Sequence, residues 1–280
     1  MPASVSAVWA GEAARLDRVL PELGLARSRS QAAELIAGGL VQVDDAPAAK
    51  AAQRIAPGVR LEVAGIDHYV SRAAHKLVAG LDAFGVNVRG LLALDVGAST
   101  GGFTQVLLER GAEAVIALDV GHGQLAETIR EDPRVRVVEG CNARELTPSA
   151  LAERSGVDEA PGLVVGDLSF ISLGLVLPAL VSVAAREAQF VLLIKPQFEV
   201  GRQGVSGGIV TDPELARTAV ERVILAAQEL GLDCCGLAAS PIAGEHGNRE
   251  VLACFARDQA SDPTEWGERI RELFDAGGVA

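Results

Sequence analysis

Apolar positions along the chain fall into two rhythms. In the first 64 residues they come in short bursts. Ala14-Arg15-Leu16-Asp17-Arg18-Val19-Leu20 has helical spacing, ended by Pro21 and Gly24. Residues 26–36 predict a second helix with Ser28 at its N-cap, closed by Gly38-Gly39. Leu40-Val41-Gln42-Val43 alternates like a strand and turns at Asp44-Asp45, and residues 59–63 alternate in the same way. The pattern predicts a small α+β domain over 1–64, a linker over 65–71 and a second domain over 72–280, with Ser71 placed to cap a helix over 72–81.

From there the apolar runs lengthen. Strands are predicted over 91–96, 114–119, 135–138, 163–170 and 190–199, and two more over 232–240 and 250–256. Between them lie a helix after the glycines at 101–102, one ending near Arg130, one running through Pro178 to Ala185, and a long one over 212–230. Residues 147–161 read as a polar loop, 201–208 as a glycine-rich loop, and the tail as helical near 264–274. Strands alternating with helices predict an α/β fold, a Rossmann-like, mostly parallel sheet with helices on both faces.

The chemistry concentrates where the first of these strands ends, in Leu94-Asp95-Val96-Gly97-Ala98-Ser99-Thr100-Gly101-Gly102-Phe103. Ligands of open α/β sheets sit outside the carboxyl ends of strands, and glycines there let backbone approach a ligand closely. A dinucleotide turn wants G-x-G-x-x-G; this one reads D-x-G-x-x-x-G-G, with an acid that repels a pyrophosphate and suits a cation. The ligand that fits is S-adenosylmethionine, a sulfonium with an amino group. Asp119 ends the next strand 24 residues after Asp95, near the ~20-residue spacing of a ribose-binding carboxylate. Asn142, at the end of the third strand, is placed to read an adenine edge. The missing G-x-G-x-x-G argues against an NAD-dependent oxidoreductase.

Composition narrows the classes. The chain has 280 residues, 49% of them hydrophobic and only 4% aromatic, so its cores are built from Ala, Val and Leu. No apolar run reaches the ~20 residues of a membrane span, and the N-terminus lacks the pattern of a secretory signal. Cys141, Cys234, Cys235 and Cys254 lack metal-ligand spacing and read as reduced cytosolic thiols. Both point to a cytoplasmic protein and away from a secreted cytolysin. Net charge is −12, but residues 1–80 hold nine Lys+Arg against eight Asp+Glu, so the acidity lies in the second part. An acidic chain can still carry a local basic patch that meets phosphates, and Arg27 and Arg29 stand where the second helix begins.

Four charged residues end or flank elements of the second domain: Lys76, Asp167, Lys195 and Glu250. Ionisable groups after apolar runs are partly desolvated and need a partner or a task. Two amines held together disfavour carrying both charges, which frees one as a base, and a nearby carboxylate orients it. Such a set suits deprotonating a ribose 2′-hydroxyl for in-line attack on a methyl group, a reaction that needs positioning and no metal. Singly, each has a plainer reading: Asp167 as a helix cap, Lys195 as a surface lysine before a proline, Glu250 paired with Arg249 or Arg222.

The stretch "RLDRVLPELGLARSRSQAAELIAGGLVQVDD" resembles the S-four-type RNA-binding domain. That resemblance implies RNA contact through Arg15, Arg18, Arg27, Arg29 and Gln31. Over essentially its whole length the chain resembles the TlyA, hemolysin A-like family of ribosomal RNA 2′-O-ribose methyltransferases, whose catalytic domain is FtsJ-like. The carrying motifs are "SRAAHKL", "LDVGASTGGFT", "ALDVGHGQL", "GDLSFISL", "LIKPQFE" and "GEHGNREVL". The resemblance implies 2′-O-methylation of cytidine in small- or large-subunit rRNA. Lys195 would be the base, Asp167 and Lys76 its orienters and Glu250 a substrate-side partner. Asp95, Gly97, Ser99, Gly101, Gly102, Phe103, Asp119 and Asn142 would hold S-adenosylmethionine. Partners are then ribosomal RNA or ribosomal subunits, with no metal and no membrane. A non-catalytic RNA-binding adaptor is the alternative.

Overall fold

The computed structural model describes residues 4–26, 28–64, 68–201, 204–244, 247–259 and 263–275. Two compact units divide at His68/Tyr69, inside the span read as a linker, of which 65–67 lie outside the described residues.

The first unit opens with strand β1 (Ser4–Val8) and a two-residue β2 (Ala14–Arg15), followed by helices α1 (Leu16–Glu22) and α2 (Arg29–Ala37). Strands β3 (Val41–Val43), β4 (Ala46–Pro47), β5 (Arg54–Ile55) and β6 (Arg60–Ala64) complete it. β1, β6, β3 and β4 form an antiparallel sheet in that order, and β2 pairs with β5. Ser28 caps α2 by accepting from the Gln31 N–H at 3.2 Å. Asp44 and Asp45 both take positive φ, 46° and 65°, the geometry of a tight hairpin turn that Asp tolerates. Two expectations change. Pro21 lies inside α1 rather than ending it, since losing one ladder N–H in a last turn is tolerable. β1, too short a burst to stand out in the pattern, is held by its pairing with β6. Leu16, Val19, Leu20, Ile36, Val41, Leu61 and Val63 fill the core.

The second unit begins with α3 (Ala74–Phe84), two residues later than expected. Ser71 still serves its start, accepting from the Ala73 N–H at 3.2 Å. There follow β7 (Leu92–Val96), α4 (Gly102–Glu109), β8 (Ala114–Leu118), a one-turn α5 (Glu127–Arg130), β9 (Val135–Val138) and α6 (Pro148–Ser155). Next come β10 (Leu163–Gly166), α7 (Leu173–Val183), β11 (Gln189–Ile194), α8 (Pro196–Glu199) and α9 (Pro213–Glu229). β12 (Asp233–Ala239), β13 (Val251–Ala256) and α10 (Pro263–Asp275) close the chain.

α6 corrects the reading of 147–161 as a loop. Its signals are local: Thr147 accepts from the Ala150 N–H, Pro148 stands at the first position, and Gly156 ends it at φ 70°. Only Leu151 and Ser155 of this helix are buried, so the apolar pattern alone misses it. The strand expected over 190–199 stops at Ile194, because Pro196 starts the α8 turn.

The seven strands lie in the order β12-β13-β11-β10-β7-β8-β9, parallel except that β13 runs against both neighbours. Side chains alternate across the sheet with period two. In β7, Leu92, Leu94 and Val96 enter the core under α7 and α9, while Ala93 faces the core under α3 and α4. This parity fixes the site.

Candidate functional site

Asp167, Lys195 and Gly97 each directly follow a parallel strand (β10, β11, β7), and Glu250 directly precedes the reversed β13. All four therefore reach the same edge of the sheet. They also share a face. Leu163 and Val165 of β10, Val191 of β11 and Cys254 of β13 belong to the core under α3. Counting on by twos from these residues reaches Asp167, Lys195 and Glu250. Lys76, in the first turn of α3, comes from above.

The four charges close into one chain of contacts. Lys76 Nζ donates to Glu250 Oε2 at 2.7 Å and to Asp167 Oδ2 at 3.3 Å. Lys195 Nζ lies 2.6 Å from Asp167 Oδ1 and donates to Ser169 Oγ at 2.8 Å. The lysine and glutamate side chains are at most 10% exposed and Asp167 is 14% exposed. Two cations and two anions balance, the condition under which buried charges are tolerated. Glu250 fits because residue 244 is glycine: a Cβ there would lie 2.2 Å from Glu250 Oε1.

Beside this cluster a cavity of about 170 Å³ is lined by Ser71, Ala73, Gly97, Ala98, Ser99, Thr100, Gly102, Phe103, Asp167, Ser169 and Lys195. The expected glycine turn and the charged cluster thus share one opening. Gly97 has φ 83°, and a Cβ there would press on the Asp167 carbonyl at 3.2 Å. Ser99, at φ 48°, is a non-glycine residue held in the left-handed region at the mouth.

Other expected ligand residues stand apart from that wall. Asp95 has the parity of Ala93, so it points under α4 and is wholly buried, its Oδ2 accepting from Thr104 Oγ1 at 2.6 Å. Burial pushes its carboxyl up to about 7 against the opposing Thr104 bond, and Oδ1 meets no partner among the described residues. Asp95 braces the turn from behind. Gly101 begins α4 at φ 95°, packed where a Cβ would strike Leu125 at 2.9 Å. Asp119 accepts from the N–H groups of Ser99 (2.8 Å) and Gly121 (2.7 Å), tying the loop after β7 to the loop after β8. Asn142 caps the 3₁₀ turn Ala143–Glu145, accepting from the Arg144 N–H at 3.1 Å.

Three residues here escaped the sequence reading. Ser169 carries the Lys195 hydrogen bond. Glu199 accepts from Ser172 Oγ (2.6 Å) and the Leu173 N–H (2.8 Å), joining α8 to the start of α7, and burial raises its carboxyl. Phe170 is 85% exposed at φ 64°, with its ring 5.2 Å from Phe198, whose ring in turn lies 5.9 Å from Lys195 Nζ. An exposed aromatic side chain on strained backbone gains nothing from a core.

In the first unit, Arg15 and Arg29 converge on Asp17, and Arg18 pairs with Glu22 at 2.8 Å on the surface. Gln31 lies in the first turn of α2. Arg27 lies outside the described residues.

Comparison with known proteins agrees with both units. Residues 69–257 match the FtsJ-like methyltransferase model, and residues 14–61 match the S4 domain model. The 16S/23S rRNA (cytidine-2′-O)-methyltransferase TlyA of Mycobacterium tuberculosis is 54% identical over 85% of this chain and 88% of its own. Hemolysin A of Brachyspira hyodysenteriae is 39% identical over 86% of this chain and 99% of its own. A solved structure of a proposed hemolysin from Streptococcus thermophilus superposes with a TM-score of 0.71 at 37% identity, covering 95% and 97% of the two chains.

Proposed function

The chain belongs to the TlyA family of FtsJ-like methyltransferases, and from that premise we propose that it transfers a methyl group from S-adenosylmethionine to the 2′-hydroxyl of a cytidine in ribosomal RNA. The observation that carries the reading is the Lys76–Asp167–Lys195–Glu250 cluster opening onto the glycine-turn cavity.

The residues present suit that cofactor. Backbone at Gly97, Ala98 and Gly102 lines the cavity closely enough for an amino-acid moiety. Asp119 spends one lone pair of each oxygen on a loop N–H and keeps the others for ribose hydroxyls. Asp95, buried behind the turn with its Oδ1 orphaned and its carboxyl pushed up to about 7, supplies a negative charge there once it has lost its proton, the form a cation in front of the turn favours. When bound, S-adenosylmethionine supplies the activated methyl. The protein's part is to hold the hydroxyl in line and remove its proton. Lys195 acts in its neutral form, after its resting ammonium has released a proton to solvent: it accepts the hydroxyl proton on Nζ, and the ammonium so re-formed stands 2.6 Å from Asp167, where its counter-charge is already fixed. Lys76, bound to both carboxylates, fixes the far side of Asp167 and sets Glu250. Phe170 offers its exposed face for a base of the substrate strand to stack on.

The test is transfer of labelled methyl from S-adenosylmethionine to purified ribosomal subunits, with the product nucleoside identified by mass spectrometry. A 2′-O-methylcytidine is expected. A chain that binds neither cofactor nor yields product would be an RNA-binding adaptor instead.

A further inference from the structure

Asp17 has no part in the chemistry above, yet it is among the few buried charges of the molecule. It sits in the first turn of α1 between Leu16, Val19 and Leu20, all in the core of the first unit. Its own N–H and that of Leu16 donate to the Ala51 and Gln53 carbonyls at 3.0 and 2.7 Å, so the fold fixes it from two sides. Arg15 closes on it as a fork, Nε to Oδ1 at 3.0 Å and Nη2 to Oδ2 at 2.8 Å. Arg29, from α2, adds Nη2 to Oδ2 at 3.1 Å. The Arg15 hydrogen bond, with help from Arg29 and against burial, holds the carboxyl well below the usual carboxylate range, so it stays ionised.

The asymmetry of exposure is the informative part. The Asp17 side chain is 9% exposed, whereas those of Arg15 and Arg29 are 50% and 63% exposed. Of the five N–H donors of each guanidinium, two of Arg15 and one of Arg29 go to Asp17, which leaves three and four directed elsewhere. Two guanidiniums this close repel each other, and a single carboxylate beneath them offsets that repulsion and sets their spacing. Outward, the pair presents a net positive, planar, many-donor surface of the kind that meets successive phosphates.

We propose that Asp17 is the positioning residue of the RNA-binding surface of the first unit, holding Arg15 and Arg29 in a preformed clasp for the RNA backbone. This rests on the reading of that unit as RNA-binding. It carries an inverted expectation. Removing an anion from an RNA-binding surface should, by bulk charge alone, tighten binding. If Asp17 positions the arginines, Asp17→Asn weakens it, because the NH2 that replaces one oxygen accepts nothing, so the Arg15 fork cannot close on both sides, and the charge that offsets the two guanidiniums is gone. The ordering saved by preorganisation is then lost.

The experiment titrates the full-length chain against a fluorescent rRNA transcript at several salt concentrations. Arg15→Ala and Arg29→Ala each weaken binding and reduce the salt slope by about one. Asp17→Asn weakens it roughly tenfold, also lowers the slope, and adds nothing in the Arg15→Ala/Arg29→Ala background, where a merely structural role would still tell. Should Asp17→Asn fail to fold by circular dichroism, Arg15→Lys tests the same point: it keeps the charge but cannot form the fork, and should bind more weakly than wild type. If both arginine variants weaken binding while Asp17→Asn, or Arg15→Lys in its stead, matches or exceeds wild type, the positioning role is overturned and the RNA surface stands. If neither arginine variant changes binding, the RNA-surface reading itself fails and takes the proposal with it.

Discussion

Asp17 and Asp167 are each a carboxylate shared by two cations, and they stand in opposite surroundings. Asp17 is buried beneath arginines that are at least half exposed. Asp167 is held by lysines that are about 10% exposed or less, with Glu250 balancing the second charge. In the first case the acid is the fixed point and the cations face outward. In the second all partners are withdrawn from water, and the arrangement is useful only to what enters the cavity. Arginine suits the outward role, with its fork and many donors; lysine suits the inward one, as an amine that exchanges a proton. On the roles proposed above, burial of the partners, rather than the pairing itself, separates a binding clasp from a catalytic cluster.

The largest effect that sharpens this contrast is on turnover. Lys195→Ala should lower methyl transfer by about 10²–10⁴-fold, with cofactor affinity, read by calorimetry, essentially unchanged. Equal turnover would remove Lys195 from the chemistry. Next comes stability. Asp167→Asn leaves two buried ammonium groups facing one carboxylate, and breaking a buried pair costs about 3–5 kcal/mol. Asp17→Asn strands only solvated arginines and should cost about 1 kcal/mol or less. Denaturant unfolding of the two variants side by side reads the difference. Equal losses would mean that the exposure of the partners does not matter.

Asp95 extends the comparison to an acid with no cation. Its native carboxyl, near 7, lies above the ordinary value of 3.8. The folded protein therefore binds more protons than the unfolded chain between about pH 4 and 7, and stability falls as pH rises through that window. Asp95→Asn keeps an acceptor for Thr104 and removes the buried charge. Its melting temperature should exceed wild type at pH 8, by an amount worth on the order of a few kcal/mol, with the gain vanishing near pH 4. A gain that did not depend on pH would show that Asp95 is not the titrating group.

Phe170 tests the open side of the Lys76–Asp167–Lys195–Glu250 cluster. Phe170→Ala should raise the apparent KM for RNA by roughly 5–100-fold, the range of losing one base stack. Phe170→Gly should do the same while holding or raising the melting temperature, since glycine accepts φ 64° without strain. A drop in stability would show that the ring is there for packing.

Much of the fold follows from period and punctuation. Apolar runs ending in Asp167, Lys195 and Gly97 place three site groups at one sheet edge, and alternation within each strand places them on one face. The same alternation puts Asp95 under α4, beyond reach of the cavity, although an acid before a glycine turn suggests a ligand. Phe170 was not legible, because a positive φ at phenylalanine has no sequence signature and an exposed ring looks like any core aromatic. The α6 helix escaped because it buries so little. Asp17 carries no sequence signal of its own, since the contacts that give it weight come from Arg29, Ala51 and Gln53, distant in sequence.

The smallest effect belongs to Arg18, which has a carboxylate partner of its own. Its bond to Glu22 is as short as the fork of Arg15 on Asp17, 2.8 Å, but both of its side chains are exposed, 67% and 44%. Such an i,i+4 pair on a helix surface contributes about 0.3–0.5 kcal/mol. Glu22 can leave it without exposing a buried charge, so nothing holds the Arg18 guanidinium in one place. Glu22→Gln should therefore change rRNA affinity little, and in the direction of tighter binding that bulk charge dictates, while Asp17→Asn moves it the other way. Opposite signs from two neutralised carboxylates on one short helix would isolate the buried anchor as the cause. The same sign in both would reduce the Asp17 cluster to surface electrostatics.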